Sequence, residues 1–266
     1  MTSPSLTRYV SRGVTLIGDQ SVPDGVTLAF TEREGGVSSG GYSSLNLGDA
    51  CGDDPAAVAE NRRRALAAIG AEGLEQRLVN PKQVHGDNVV VVRAGDDASV
   101  AAAQRSARSG ADAVVVTARR VPVLLCFADC VPVIIVAPGG FAVAHSGWRG
   151  TIAKISAKAA RTLMDEVGCG PSELLAYVGP HIGGADYEVS EELAVRFSDA
   201  FGSHVLVSPR HLDLGAAVMD ALAEAGVSRE QVSCVDASTA SATDRFFSYR
   251  ASGGSCGRHG AIAAML

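Results

Sequence analysis

The segment from Val121 to Ala144 constrains the fold most. It is apolar almost throughout, yet it is broken by Pro122, Asp129, Pro132, Pro138 and the pair Gly139-Gly140. Those breaks exclude a single long helix or a membrane span, and the pieces between them read as consecutive buried strands. Further strands are expected at Val26–Thr31, Asn88–Arg93, Ala113–Thr117, Pro122–Phe127, Val131–Ala137, Phe141–His145 and Leu174–Val178. Helical patterns cover Pro55–Ile69, Ile152–Val167, Glu191–Phe201 and Leu214–Ala225. Strands and helices alternate without a repeat or a linker, so one mixed α/β domain over residues 1–266 is expected. Thirty glycines among 266 residues exceed the usual share and indicate many tight turns.

Composition narrows the partners. Hydrophobic residues make up 47%, charged residues 20%, and the net charge is −6, which is ordinary for a globular protein and lacks the basic footprint of a nucleic-acid or anionic-membrane binder. An anionic substrate would need a local basic patch. The first residues contain no continuous apolar stretch, so no secretory signal is expected. The six cysteines (51, 126, 130, 169, 234 and 256) form no CxxC pair. A cytoplasmic protein with reduced thiols is the expectation.

Two helix starts carry chemical interest. Asp54-Pro55 reads as an N-cap with proline at the first helical position. On the helix that follows, Arg62 falls within the apolar stripe of Val58, Ala65, Leu66 and Ile69, whereas Arg63 and Arg64 point away. Arg62 either lies along the edge of the core and pairs with a carboxylate, or holds an anion in a pocket. The turn Gly147-Trp148-Arg149-Gly150 leads into another helix. It is either an ordinary strand-to-helix turn or an anion site strengthened by Arg149. Asp213 caps the helix from Leu214 and is read as structural.

Three reactive side chains stand at strand ends: His85 in Gln83-Val84-His85-Gly86, Cys130 in Ala128-Asp129-Cys130, and His145 before the Gly-Trp-Arg-Gly turn. Such a trio could bind zinc with one position left open, or provide a cysteine nucleophile with a histidine base. Alternatively it is a buried cysteine with two satisfied histidines. If Gly139-Gly140 forms a two-residue turn, His145 faces Ile134. Cys130 then lies about 13 Å further along, so one shared ion requires a bend near Asp129–Pro132.

The motifs run nearly the length of the chain. They are Phe30-Thr31-Glu32-Arg33-Glu34-Gly35-Gly36, Ser43-Ser44-Leu45-Asn46-Leu47-Gly48, Glu60-Asn61-Arg62-Arg63-Arg64, the three strand-end motifs, and Phe246-Phe247-Ser248-Tyr249-Arg250. In this order the sequence resembles the YfiH family, also called the laccase-domain or peptidoglycan-editing-factor family. The resemblance implies layered mixed β-sheets flanked by helices, akin to toxin deamidase domains, with zinc on His85, Cys130 and His145. It also implies phosphorolysis of adenosine, inosine and guanosine, with methylthioadenosine cleavage and adenosine deamination at the same site.

For that chemistry Arg62 is the first candidate to hold phosphate, followed by Arg149 and Asn46. The expected partners are purine nucleosides and phosphate, with no nucleic acid and no membrane. Copper is less expected than zinc, because a multi-copper oxidase needs more histidines than this chain can converge. Two alternatives stand beside this reading. One is a cysteine hydrolase or amidase acting on peptidoglycan precursors, and the other is a cell-division or wall-synthesis interaction protein with a vestigial site. The sequence departs from the family at His181, where many relatives carry cysteine, and at Ser146, where alanine is commoner.

Overall fold

The computed structural model describes residues 3–266. Strands β1 (Thr7–Ser11), β2 (Val14–Gly18), β3 (Val26–Thr31), β6 (Val123–Phe127) and β13 (His259–Met265) form one sheet. Its order is β1-β2-β3-β13-β6, antiparallel throughout. A second sheet contains β4 (Val89–Val92), β5 (Ala113–Val116), β7 (Val131–Ala137), β8 (Gly140–Ser146), β9 (Leu175–Val178) and β12 (Val232–Cys234), in the order β12-β9-β7-β8-β5-β4. Its two outer pairs are parallel and its central pairs antiparallel. A short ladder joins β10 (Leu206–Ser208) to β11 (His211–Leu212).

The two sheets pack face to face through Phe30, Leu125, Phe127, Ile134, Phe141 and Tyr177. The outer face of the second sheet is covered by α4 (Ile155–Val167), α5 (Glu191–Phe201) and α6 (Leu214–Glu224), packed through Leu163, Phe197 and Val218. The outer face of the first sheet is covered by α1 (Pro55–Ala68), packed through Ala65 and Leu66. Helix α2 (Asp97–Ser109) packs beside β4, and α3 (Trp148–Ile152) is a single short turn ahead of α4. Every residue of β7 and β8 is buried, because both faces of this sheet are covered. Strands in that position are apolar throughout rather than alternating.

The expected strands and helices are present with shifted ends. Asp54 caps α1 by accepting from the Ala56 amide, and Asp213 caps α6 by accepting from the Ala216 amide. The single helix expected over Ile152–Val167 is two pieces, because Lys154 takes a left-handed conformation with φ 56° between them. The hairpin register also differs. Ala137 pairs with Gly140, so the turn is Pro138-Gly139, and His145 faces Pro132 rather than Ile134. Gly139 supplies the positive φ of 88° that the turn requires. Cys130 is therefore two residues beyond the partner of His145 instead of four. Elements β1, β2, α2, β10, β11, β12 and β13 carry no prior expectation. In β13 the run Ala261-Ile262-Ala263-Ala264 favours helix by propensity, but its place between β3 and β6 makes it a strand.

Candidate metal centre and cavity

The centre is assembled by two backbone distortions. Asp129 sits at φ 92° and turns the chain between β6 and β7, which is the bend that Cys130 needs to reach His145. The conformation is held by the Asp129 carboxylate, which accepts from the Thr239 hydroxyl at 2.7 Å and the Arg250 amide at 2.7 Å. His85 sits at φ 58°. This leaves three successive amides, of Val84, His85 and Gly86, pointing at the carboxylate of Asp112 at 3.3, 2.9 and 2.7 Å. Such a concave array of N–H groups binds an anion, and here the anion is a buried side chain.

Asp112 also lies 2.8 Å from Nδ1 of His145, which leaves Nε2 to face the centre. The donor atoms of His85, Cys130 and His145 all lie within 4.8 Å of one another. A tetrahedral zinc ion holds such donors roughly 3.3–3.8 Å apart, so a trio this close can share one ion after small movements. Gly147 keeps the centre open. A Cβ there would fall 2.8 Å from Cδ2 of His85 and 3.2 Å from Sγ of Cys130. Two imidazoles and a thiolate are a zinc-type donor set with a fourth position free. Burial opposes the charged forms of Cys130, His145 and Asp112. Even so, the His145 charge and hydrogen bonds from His145 and His85 hold the Cys130 thiol below its usual range. Cys130 and Asp112 in turn raise His145, and despite burial His145 and the ligand-loop amides hold Asp112 low.

The cluster opens on a cavity of about 880 Å3. Its walls include the aromatic rings of Phe127, Trp148, Tyr187 and Tyr249. Arg149 lies over Trp148 at 4.4 Å, Arg250 over Tyr187 at 5.0 Å, and Arg258 over Tyr249 at 5.7 Å. Lys82 and Arg108 also line it. An acidic protein thus carries the local basic patch that an anionic ligand would need.

The sequence candidates divide into two groups. His85, Cys130, His145 and Arg149 share this cavity. Arg62 does not line it: its Nε donates to the Leu47 carbonyl at 2.9 Å, its Nη2 lies 3.3 Å from Asp49, and it faces a neighbouring cavity of about 470 Å3. Asn46 is fully buried and spends its amide on Gly48, Asp53 and the Arg258 amide. Its geometry is that of a loop anchor, because every polar atom is already bonded within the fold. His181 bonds the Gly179 carbonyl at 2.8 Å, away from the cavity lining. Sequence reasoning missed Asp112, Tyr187, Arg250 and Arg258. Only Tyr249-Arg250, inside a quoted motif, offered a signal.

Fold and site together define a class: a layered α/β protein with a three-donor, metal-type centre on a small-molecule cavity. Residues 27–266 match the family model described as multi-copper polyphenol oxidoreductase laccase, and the chain belongs to that family. A purine nucleoside phosphorylase of Deinococcus radiodurans is 37% identical over 245 residues, covering 90% of this chain and 89% of the relative. Purine nucleoside phosphorylase YlmD of Bacillus subtilis is 31% identical over 241 residues, covering 88% and 86%. Among solved structures, YlmD from Geobacillus stearothermophilus superposes with a TM-score of 0.84 at 29% identity, covering 98% of this chain and 99% of that one. YfiH from Bacillus licheniformis gives 0.84 at 25% identity, covering 96% and 97%. The motif resemblance to the YfiH family therefore holds, as does the layered α/β fold.

Proposed function

We propose that the protein is a zinc-dependent purine nucleoside phosphorylase, splitting adenosine, inosine or guanosine with phosphate into free base and ribose 1-phosphate. The observation that carries this reading is the opening of the His85–Cys130–His145 cluster onto a basic, aromatic-walled cavity. The names of the relatives point the same way. In phosphorolysis the bond from ribose C1′ to the base lengthens, positive charge grows on the sugar, and a phosphate oxygen closes on C1′. Tyr187 and Trp148 offer faces on which a purine stacks. Arg149 and Arg250 provide guanidinium groups for the incoming phosphate, a geometry suited to bidentate hydrogen bonding. Arg62 adds positive charge from behind Asp49, and Asn46 keeps the Gly48–Cys51 loop in place. Zinc on His85, Cys130 and His145 supplies Lewis acidity toward the base, and toward water if adenosine is deaminated at the same site. Methylthioadenosine belongs to the same substrate class. A copper oxidase is disfavoured by the donor set, since this trio is the one His/Cys/Asp/Glu group of metal-binding geometry among the described residues.

Chromatography of adenosine and inosine incubated with the zinc-loaded protein, with and without phosphate, tests the reading. Phosphate-dependent release of free base, lost in Cys130→Ala, is the expected result. Unchanged nucleosides would overturn it. One observation favours a second reading, a cysteine hydrolase acting on amide bonds: Cys130, His145 and Asp112 stand in the order nucleophile, base and orienting carboxylate. Chelation separates the two. It abolishes a zinc-dependent reaction, whereas a thiolate mechanism survives chelation and is stopped by alkylating Cys130.

A further inference from the structure

The cavity carries more positive charge than a neutral nucleoside and one phosphate use. Its lining contains Lys82, Arg108, Arg149, Arg250 and Arg258 against two acids, Asp49 and Asp129, in a chain of net charge −6. Both acids are already engaged. Asp129 accepts from Thr239 and the Arg250 amide, and Asp49 pairs with Arg108 at 2.8 Å and Arg62 at 3.3 Å.

The basic groups form two sets. Arg250 belongs with the metal centre: its amide is tied to Asp129, next to Cys130, and its guanidinium lies over Tyr187. Arg258 belongs to a different wall, built on the Leu47–Asp49 segment. Its carbonyl accepts from the Leu47 amide at 2.9 Å, and a Cβ on Gly48 would fall 2.7 Å from its Cγ. Arg62 donates to the carbonyl of that same Leu47, so this wall gathers Arg258, Arg62 and Arg108 around Asp49. The Arg258 Nη1 is anchored on the carbonyls of Cys256 and Gly257 at 2.7 and 2.9 Å. A guanidinium fixed by neutral carbonyls keeps its full charge for a ligand. Lys82, exposed and on the same lining, adds a second cation. The cavity, at about 880 Å3, stands at the upper end of the roughly 300–1,000 Å3 typical of small-molecule sites.

We infer that the cavity binds purine nucleoside 5′-monophosphates, with the base toward the metal centre and the phosphate ester on Arg258 and Lys82. The inference rests on the phosphorylase reading for the base and for the inorganic phosphate, and it adds a second phosphate position. Calorimetric titration of the zinc-loaded protein with inosine and with inosine 5′-monophosphate, both without inorganic phosphate so that inosine is bound and not turned over, tests it. The nucleotide is expected to bind at least tenfold more tightly than the nucleoside. That ratio falls toward one in Arg258→Gln and in Lys82→Gln, the latter an exposed position where the fold is not at stake. Equal affinities in the parent protein overturn the inference. So does simple competition between nucleotide and inorganic phosphate, which makes Arg258 and Lys82 the seat of the free ion. Inosine phosphorolysis in the same preparation is read separately. Turnover without nucleotide preference rejects this inference alone, and no turnover rejects the phosphorylase reading.

Discussion

Asp112 holds both candidate histidine ligands in place. One oxygen pair receives three amides of the His85 loop and the ring of His145, so a single buried carboxylate fixes the position of one ligand and the tautomer of the other. Asp112→Asn keeps the size but removes the charge and turns one oxygen into a donor facing donors. Zinc affinity is expected to fall about 10–100-fold, the usual effect of losing an outer partner of a ligating histidine, measured by competition with a chelator. Gly147 makes a complementary prediction. In Gly147→Ala the new methyl meets His85 at 2.8 Å, so cobalt substitution is expected to give a weakened or shifted thiolate charge-transfer band. An unchanged spectrum would mean that the loop yields freely. The three candidate ligands were legible in the sequence through the motifs that carry the family resemblance, and the structure brings their donor atoms within 4.8 Å of one another. Asp112 was not legible, because a lone acid before a run of valines looks like any strand entry.

Glu32 ties the edge of the first sheet to the C-terminal segment. It follows β3, is 1% exposed, and accepts from Arg8 of β1 at 2.7 Å and from Arg245 at 2.6 Å. Burial pushes its carboxyl up, yet the hydrogen bonds and charges of both arginines outweigh this and hold it below the usual range. A carboxylate whose folded pKa is lowered stabilises the fold above its unfolded pKa of about 4.3. That contribution is lost as pH falls through the folded value. Glu32→Gln is expected to cost about 1–3 kcal/mol at neutral pH, with the difference from the parent shrinking below about pH 4. Urea denaturation across pH measures it, and a pH-independent difference would contradict the assignment. Among the elements, α1 and α6 were readable because their caps are local hydrogen bonds. The break at Lys154 was not, since nothing in its neighbours demands a left-handed residue.

The layers set the distribution of stability over the molecule. The buried strands β7, β8 and β13 are expected to hold the slowest-exchanging amides, while β1, an edge strand with exposed residues, and the β10–β11 ladder exchange fastest. Hydrogen-exchange mass spectrometry reports this order directly. Leu163 on α4 is fully buried against the second sheet, and Leu163→Ala is expected to cost about 2–5 kcal/mol in urea unfolding. A cost below 1 kcal/mol would mean that the helix layer collapses to refill the space.

Apolar patterning and local caps alone marked β4, β5, β7, β8 and β9 of the second sheet and the helices α1, α4, α5 and α6, while the trio His85, Cys130 and His145 was singled out by its motifs and the family resemblance they carry. Burial on both faces leaves a continuous apolar run. Whether the trio meets was a matter of tertiary structure. It depended on a hairpin register displaced by two residues, on left-handed turns at His85 and Asp129, and on Asp112 arriving from the entry to β5. The alanine-rich β13 is the same case for the fold, and Arg62 for the cavity: one is a strand by virtue of its neighbours, the other bonds Leu47 and pairs with Asp49 outside the cavity lining. In each, contacts between residues far apart in the chain outweigh local preference, and such contacts leave no periodic trace in the sequence.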